Sequence, residues 1–339
     1  MGLKIPKPKE EIKIENSFIK KNGMEVIYLA GGCFWGIEKL MSSLKGVICV
    51  ESGYANGKAE IIPNYKLVCQ GNTNYRETVR VQYDPAKITL DAILFAYFAV
   101  INPTEVNKQG GDIGTQYQTG IYYIDEKSKE IVNRITNIIK SRTPCFAVEI
   151  KPLINFYLAE EYHQKYLEKS PEGYCHINPL EISKISKMIF DPGKYPIPSS
   201  KEIKEKLTLE QFDVTQNAAT EPPFQNQYWN NFEKGIYVDI VTGEPLFTSD
   251  NKYHSSCGWP SFSKVIDENS IIDIEDKSIG MVRTEVKSRI GNSHLGHVFQ
   301  GDSESPNGVR YCINSAALKF IPFDQLDEKG YGYLKKYIK

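Results

Sequence analysis

A Gly-rich hexapeptide, Gly31-Gly32-Cys33-Phe34-Trp35-Gly36, constrains this chain more than any other segment. The apolar, β-prone run Met24-Glu25-Val26-Ile27-Tyr28-Leu29-Ala30 precedes it, and Ile37-Glu38-Lys39-Leu40-Met41 reads as a helix after it. Strand, glycine turn and helix in that order put a cysteine on unpaired backbone N–H groups at the positive end of a helix dipole. Both features favour thiolate, the nucleophilic form of cysteine. Two adjacent aromatics on a turn make sense as the walls of a slot. The segment therefore predicts a reactive thiolate beside an apolar slot for a small group.

The rest of the chain predicts two domains, as its 339 residues suggest. In the first half, 77–83 and 120–124 read as strands, 88–101 as a helix with Thr89 as N-cap, and 126–141 as a helix with an apolar stripe. Residues 146–154 suit a strand and 157–169 a helix, so the half reads as an α/β or α+β sandwich. Around 184–206 the texture shifts to Asp191-Pro192-Gly193-Lys194-Tyr195-Pro196-Ile197-Pro198-Ser199-Ser200 and a Lys/Glu run, which predicts a linker. Short β-prone runs follow (236–241, 279–286, 296–300, 309–320), an all-β texture. The expected divisions are an N-terminal extension 1–23, a domain 24–183, a linker 184–205 and a domain 206–339.

A net charge of −1 offers no footprint for nucleic acid or an anionic membrane, and no apolar run is long enough to span a bilayer. Met1 to Lys21 lacks the apolar core of a signal peptide. The expected location is cytoplasmic, or exported if a signal segment has been removed. Seven cysteines (Cys33, Cys49, Cys69, Cys145, Cys175, Cys257, Cys312) with no Cys-x-x-Cys argue against a disulfide framework and a four-cysteine zinc site.

Glu77 shares strand parity with Val79, Val81 and Tyr83, so it points toward an apolar face. Such a carboxyl holds its proton near neutral pH and suits a general acid; the alternative is an edge carboxylate paired with Arg76 or Arg80. Tyr65 and the stretch Gly110 to Tyr117, with Asp112, add phenol and carboxylate groups on loops. Cys175, in Gly173-Tyr174-Cys175-His176, sits on a turn after a helix, where it suits pairing with a second thiol. In the second half, Arg310 to Leu318 reads as a strand that places Arg310, Cys312 and Asn314 on one face. His294 and His297 would face opposite ways in a regular strand. Gly296 permits a bulge that aims both at one cleft; the alternative is two surface histidines. Cys257-Gly258-Trp259-Pro260 offers a further thiol and indole.

With Tyr65, Glu77, Gly110 to Tyr117 and Gly173-Tyr174-Cys175, the first motif resembles A-type peptide methionine sulfoxide reductases over about residues 25–180. That resemblance implies a ferredoxin-like α+β two-layer sandwich. It makes Cys33 the nucleophile, Phe34 and Trp35 the methyl pocket, and Glu77 the proton donor to the sulfoxide oxygen. Tyr65 and Tyr117 would bind that oxygen, Asp112 would support the site, and Cys175 would resolve. His176-Ile177-Asn178-Pro179 follows where the family often carries a Gly-rich tail, so no three-cysteine relay is expected in this half.

Residues 205–325 resemble B-type methionine sulfoxide reductases through Thr220-Glu221-Pro222-Pro223-Phe224, Gly235 to Asp239, Gly243 to Phe247 and the Cys257, His294–His297 and Cys312 segments. The implied fold is mainly antiparallel β-sheet. The implied roles are Cys312 nucleophile, Cys257 resolving thiol, Trp259 methyl pocket, His294, His297 and Asn314 on the sulfoxide oxygen, and Arg310 supporting the thiolate. Tyr311 and Ser256 depart from residues common in that family. Many relatives bind structural zinc through two Cys-x-x-Cys pairs, but Val241 to Glu244 and Ser288 to Gly291 carry no cysteine, so no zinc or other cofactor is expected.

Together these imply reduction of methionine sulfoxide, free or in oxidised proteins, the S epimer by the first domain and the R epimer by the second. The route runs through sulfenic acid and a disulfide that thioredoxin reduces. Three other classes compete: a peroxide-reducing thiol enzyme, a metal-binding module built on His294, His297, Cys257 and Cys312, and a non-catalytic adaptor.

Overall fold

A computed structural model describes residues 23–339, so the predicted N-terminal extension lies, up to Asn22, outside the described residues. The chain divides into two compact units after Lys187.

The first unit runs β1 (Glu25–Ala30), α1 (Phe34–Ser42), β2 (Val47–Ala55), α2 (Tyr65–Val68), β3 (Arg76–Tyr83), α3 (Leu90–Phe98), β4 (Lys108–Gln109), β5 (Asp112–Ile113), β6 (Gly120–Tyr123), α4 (Glu126–Ser141), β7 (Glu149–Pro152), β8 (Phe156–Leu158), α5 (Tyr166–Lys169) and α6 (Pro179–Ser186). Six strands form one sheet in the order β7-β6-β1-β3-β2-β8; β6 and β7 run parallel and the other neighbours antiparallel. Thr89 caps α3 by accepting the Ala92 N–H at 3.2 Å. Val132, Ile135 and Ile139 bury one stripe of α4, as its period predicts.

On β3, Glu77, Val79, Val81 and Tyr83 are all buried, as parity predicts. Arg76 instead binds Glu149 at 3.2 Å and Arg80 binds Glu51 through Nε at 2.7 Å, so neither arginine neutralises Glu77.

The helix predicted over 157–169 does not form. Tyr157 pairs with Tyr54 on the edge of β2, a 3₁₀ turn covers Glu161–His163, and only Tyr166–Lys169 is helical. Tertiary hydrogen bonds replace the helical ladder. Glu160 accepts from the Tyr54 hydroxyl at 2.8 Å and the Tyr65 N–H at 2.9 Å, and the Gln164 amide bonds both the N–H and the carbonyl of Ser52 at 2.9 Å.

The second unit opens with α7 (Ser200–Lys206) and α8 (Leu209–Asn217). Its strands are β9 (Gly235–Asp239), β10 (Pro245–Thr248), β11 (Lys252–Tyr253), β12 (Ser261–Phe262), β13 (Ile271–Asp276), β14 (Arg283–Ser288), β15 (His294–Gln300), β16 (Val309–Ile313) and β17 (Leu318–Pro322). They form two antiparallel sheets, β10-β9-β17 and β11-β12-β16-β15-β14-β13. Tyr237, Phe247, Phe262, Leu295 and Ile313 fill the core. Part of the stretch read as linker lies on this unit: the Ile189 N–H donates to Asp267 at 2.7 Å and the Tyr195 hydroxyl meets that of Tyr333. The strand read over 309–320 breaks at a 3₁₀ turn, Ser315–Ala317, whose free N–H groups at Ser315 and Ala316 are taken by the Glu221 carboxylate.

Candidate active sites

In the first unit Cys33 is the N-cap of α1, two glycines after the end of β1. The backbone N–H of the next residue, Phe34, donates to Glu77 Oε2 at 3.2 Å, which brings the predicted acid to the predicted nucleophile. Glu77 is 1% exposed, and burial pushes its carboxyl up to about 8 against the smaller pull of that hydrogen bond. Cys33 departs from expectation. Burial, and secondly Glu77, raise its pKa well above the ordinary thiol value, and the Trp35 N–H offsets only part. The helix terminus loses to desolvation because the thiol is only 6% exposed.

The aromatic walls form. Phe34 lies 5.0 Å from the His163 ring and 6.0 Å from Tyr54, and Trp35 stacks on Tyr166 at 3.7 Å. Tyr65 sits 4.6 Å from His163. Tyr65 and Tyr117 both feel the charges of Glu77 and Cys33, and burial, first, raises both phenols, so they stay protonated donors. Asp112 lies close enough to Cys33 and Glu77 to raise both pKa values and hydrogen-bonds the Tyr174 hydroxyl. Cys175 is partly exposed.

Sequence reasoning missed His163, Glu160 and Tyr166, all inside the segment taken for a helix. His163 is 2% exposed, neither ring nitrogen has a hydrogen-bond partner among the described residues, and burial lowers its pKa, so it serves as a neutral aromatic floor under Phe34 and Tyr65. The density of tyrosines from Tyr157 to Tyr166 was the one available signal.

In the second unit, Cys312 on β16 lies in register between Ser261 on β12 and His297 on β15. Its sulfur is 3.6 Å from that of Cys257. A hydrogen bond joins the two thiols. The hydrogen bond from Cys312 is the main cause that drops Cys257 to about 4, and the same bond, then burial, pushes Cys312 up. In this resting arrangement the bond favours thiolate on Cys257 over Cys312, against the expectation. Arg310, paired with Asp302 and 4.7 Å from the Phe299 ring centroid, faces both sulfurs.

His294 and His297 meet at 5.6 Å between ring centroids. The register of β14 and β15 shifts between Val286 and Lys287, and Gly296 has φ +155. A Cβ at Gly296 would lie 2.0 Å from the Cys312 carbonyl oxygen, so only glycine passes there. Glu285 fixes His294 through Nδ1 at 2.6 Å, and Asp276 fixes His297 through Nε2 at 2.8 Å. Thr220, Trp259, Arg283, Gly296, His297, Phe299, Cys312 and Asn314 line one cleft of about 130 Å³.

Glu221 organises this cleft without a predicted role. Its carbonyl accepts the Trp259 indole N–H at 3.0 Å, its N–H donates to Asn314 Oδ1 at 3.2 Å, and its carboxyl, raised by burial to about 7, holds the turn after Cys312. Lys252 was also missed. Its ammonium donates to the Trp229 carbonyl at 3.1 Å and faces Cys257, and burial lowers it to about 8.

Among the described residues no group of three or more His, Cys, Asp or Glu side chains is placed to hold a metal ion. No helix among them is long and apolar enough to cross a membrane. The two stretches without cysteine meet through a buried ion pair, with Arg289 Nε 2.9 Å from Glu244 Oε1.

A family model described as peptide methionine sulfoxide reductase matches residues 25–191, and one described as SelR domain matches residues 207–322. The chain is similar to reduced Mxr1 from Saccharomyces cerevisiae at 36% identity over 46% of this chain and 92% of that chain, TM-score 0.44. It is similar to methionine sulfoxide reductase A of Corynebacterium diphtheriae at 36% identity over 46% of this chain and 79% of that chain, TM-score 0.40. A further match is Mxr1 solved in complex with Trx2, at 23% identity over 43% of this chain and 86% of that chain, TM-score 0.31.

Proposed function

Because this chain belongs to the peptide methionine sulfoxide reductases and carries a SelR domain after the reductase domain, we propose that its two reactive centres are Cys33 with Glu77 and Cys312 with His297. The protein reduces methionine sulfoxide to methionine, the S epimer in its first domain and the R epimer in its second.

In the first domain the sulfoxide oxygen takes the proton of neutral Glu77, with Tyr65 and Tyr117 as hydrogen-bond donors, while the substrate methyl rests on Phe34 and Trp35. Cys33 sulfur attacks the sulfoxide sulfur and its thiol proton returns to the Glu77 carboxylate; the protonated oxygen then passes from the substrate sulfur to Cys33 as the bond between the two sulfurs breaks, so methionine leaves and Cys33 holds the oxygen as sulfenic acid. Cys175 then displaces that oxygen as water and forms a disulfide. An external dithiol returns both cysteines to thiols by exchange. In the second domain Cys312 attacks, His297 and His294 serve the oxygen with Asn314, Trp259 receives the methyl, and Cys257 resolves. As Cys312 attacks, its proton passes to Cys257 or to the sulfoxide oxygen, with Arg310 stabilising the thiolate charge. The observation that carries this reading is the repeated grouping of a cysteine, an aromatic wall and a proton source in both units.

We assign the external dithiol to a thioredoxin on the chemistry of exchange, since Cys175 and Cys257 are both partly exposed. A compartment that keeps dithiols reduced, the cytoplasm, fits that requirement. We read the second domain as independent of zinc, because a guanidinium has no lone pair for a metal and Arg289 with Glu244 occupies the stretches in question. We take 24–183 as the A-type domain, 184–205 as the connector and 206–339 as the B-type domain; the two units and the two matched spans support this division. A ferredoxin-like sandwich is supported by the inner strand order β6-β1-β3-β2 reached through β1, α1, β2, β3, α3 and β6.

The test is a first-turnover assay without reductant on the Cys175→Ser, Cys257→Ser double variant. Methionine and a trappable sulfenic acid should form at Cys33 with the S epimer and at Cys312 with the R epimer. Sulfenic acid elsewhere, or none, contradicts the assignment.

A further inference from the structure

Cys175 cannot act as a resolving thiol from a freely moving turn without losing time to search, and the residues after it decide how it is held. The segment Cys175-His176-Ile177 packs along the start of α1. A Cβ on Gly36 would come within 2.9 Å of Ile177 Cδ1 and 3.2 Å of Cys175 Sγ, so the segment lies directly on the helix that Cys33 begins. Ile177 is buried at 3% exposure. His176 turns the other way, inward, with its side chain 4% exposed. Its Nε2 lies 3.0 Å from the Gly31 carbonyl oxygen, two residues before Cys33. A carbonyl only accepts, so Nε2 carries the proton and donates. The opposite nitrogen, Nδ1, is 3.8 Å from Asp112 Oδ2, and neither of those two atoms has a hydrogen-bond partner among the described residues. One imidazole therefore bonds the turn that leads into Cys33 and faces the β4–β5 hairpin that carries Asp112, while its chain neighbour on one side is Cys175.

The geometry points to His176 as a positioning residue that latches the Cys175 segment to the Cys33 turn, so that the resolving sulfur is in place when Cys33 becomes sulfenic acid. This rests on the roles proposed above for Cys33 and Cys175. The step it serves is Cys33–S–OH with Cys175–SH giving Cys33–S–S–Cys175 and water. The S–S bond forms as the S–O bond breaks, and the thiol proton leaves on the oxygen. Holding the two sulfurs on one rigid surface turns this step into a reaction at high effective concentration. His176 has no part in the preceding attack on the sulfoxide, because its one ring N–H is spent on the Gly31 carbonyl.

The full-length His176→Ala and His176→Gln chains test this against the unaltered chain, with the S epimer and no added reductant. Three quantities are read: methionine formed in the first turnover, the rate of Cys33–Cys175 disulfide formation by acid quench and mass analysis, and Cys33 sulfenic acid captured by a 1,3-diketone. The latch predicts that H176A keeps its first-turnover rate within about twofold but forms the disulfide about tenfold or more slowly, with captured sulfenic acid rising to match. H176Q, whose amide N–H reaches the Gly31 carbonyl, should recover most of the disulfide rate. Disulfide formation at the unaltered rate in H176A overturns the latch, and so does a first-turnover loss in H176A as large as its loss of disulfide rate. If the unaltered chain itself yields no first-turnover methionine, the assignment of Cys33 fails instead.

Discussion

Phe34 gives its backbone N–H to Glu77 Oε2 at 3.2 Å, and the carboxyl that receives it is buried at 1% exposure. Burial outweighs this bond and holds the Glu77 pKa at about 8, so the group is mostly neutral at pH 7. S-epimer turnover should therefore fall as pH rises through about 8, by roughly tenfold per unit beyond it, as the proton donor is lost. Rate measurements between pH 6 and about 10 on the separated S epimer check this, and a rate that keeps rising through that range contradicts it.

The same burial makes Glu77 a stability cost. Its pKa is raised from 4.5 in an open environment to about 8, so below the lower value both folded and unfolded chains are protonated and nothing is lost. Between the two values the unfolded chain ionises and the folded one does not, and native stability falls with rising pH until about 8, where the penalty reaches on the order of 4 kcal/mol. Glu77→Gln removes this term. It should unfold at higher denaturant than the unaltered first domain, by a margin that grows from pH 5 to 8, while losing about a hundredfold or more in S-epimer turnover.

Cys257 and Cys312, 3.6 Å apart, are hydrogen-bonded to each other in the resting second domain. A mild alkylating agent at pH 6 should modify Cys257 first, because its thiol is lowered to about 4 by the Cys312 hydrogen bond. Cys312→Ala removes that donor, so the titration of Cys257, followed by ultraviolet thiolate absorbance, should move up. A Cys257 titration unchanged by Cys312→Ala means that this bond does not set its pKa.

Glu221 holds Trp259 through its carbonyl, Asn314 through its N–H and two backbone N–H groups through its carboxyl. Glu221→Ala keeps the main-chain bonds to Trp259 and Asn314 but leaves the buried N–H groups of Ser315 and Ala316 unpaired, which costs about 1–3 kcal/mol each in the second domain's stability. R-epimer turnover should drop about tenfold or more as the turn behind Cys312 relaxes, with S-epimer turnover unchanged.

What the sequence made legible was local. The glycine turn at Cys33, the parity that buries Glu77, the Thr89 cap and the Gly296 bulge each depend on a few neighbouring residues, and each appears in the structure. What it hid was set by partners far along the chain. The residues 157–169 carry a helix-compatible pattern, but Gln164 binds Ser52 and Glu160 binds Tyr54 and Tyr65, which places His163 against Phe34 and Tyr166 against Trp35. Glu221 acts on Ser315 and Ala316, more than ninety positions away in sequence. The charge state of Cys33 was misread for a related reason: helix-terminus arguments see the dipole but not the burial that overrides it.

The central claim is that two independent thiol centres act on opposite sulfoxide epimers. The most direct measurement is steady-state reduction of separated S and R epimers by the full-length chain and its Cys33→Ser and Cys312→Ser variants, with thioredoxin as reductant. Cys33→Ser should lose S-epimer reduction and keep R-epimer reduction, and Cys312→Ser the reverse; a single substitution that silences both activities contradicts the account.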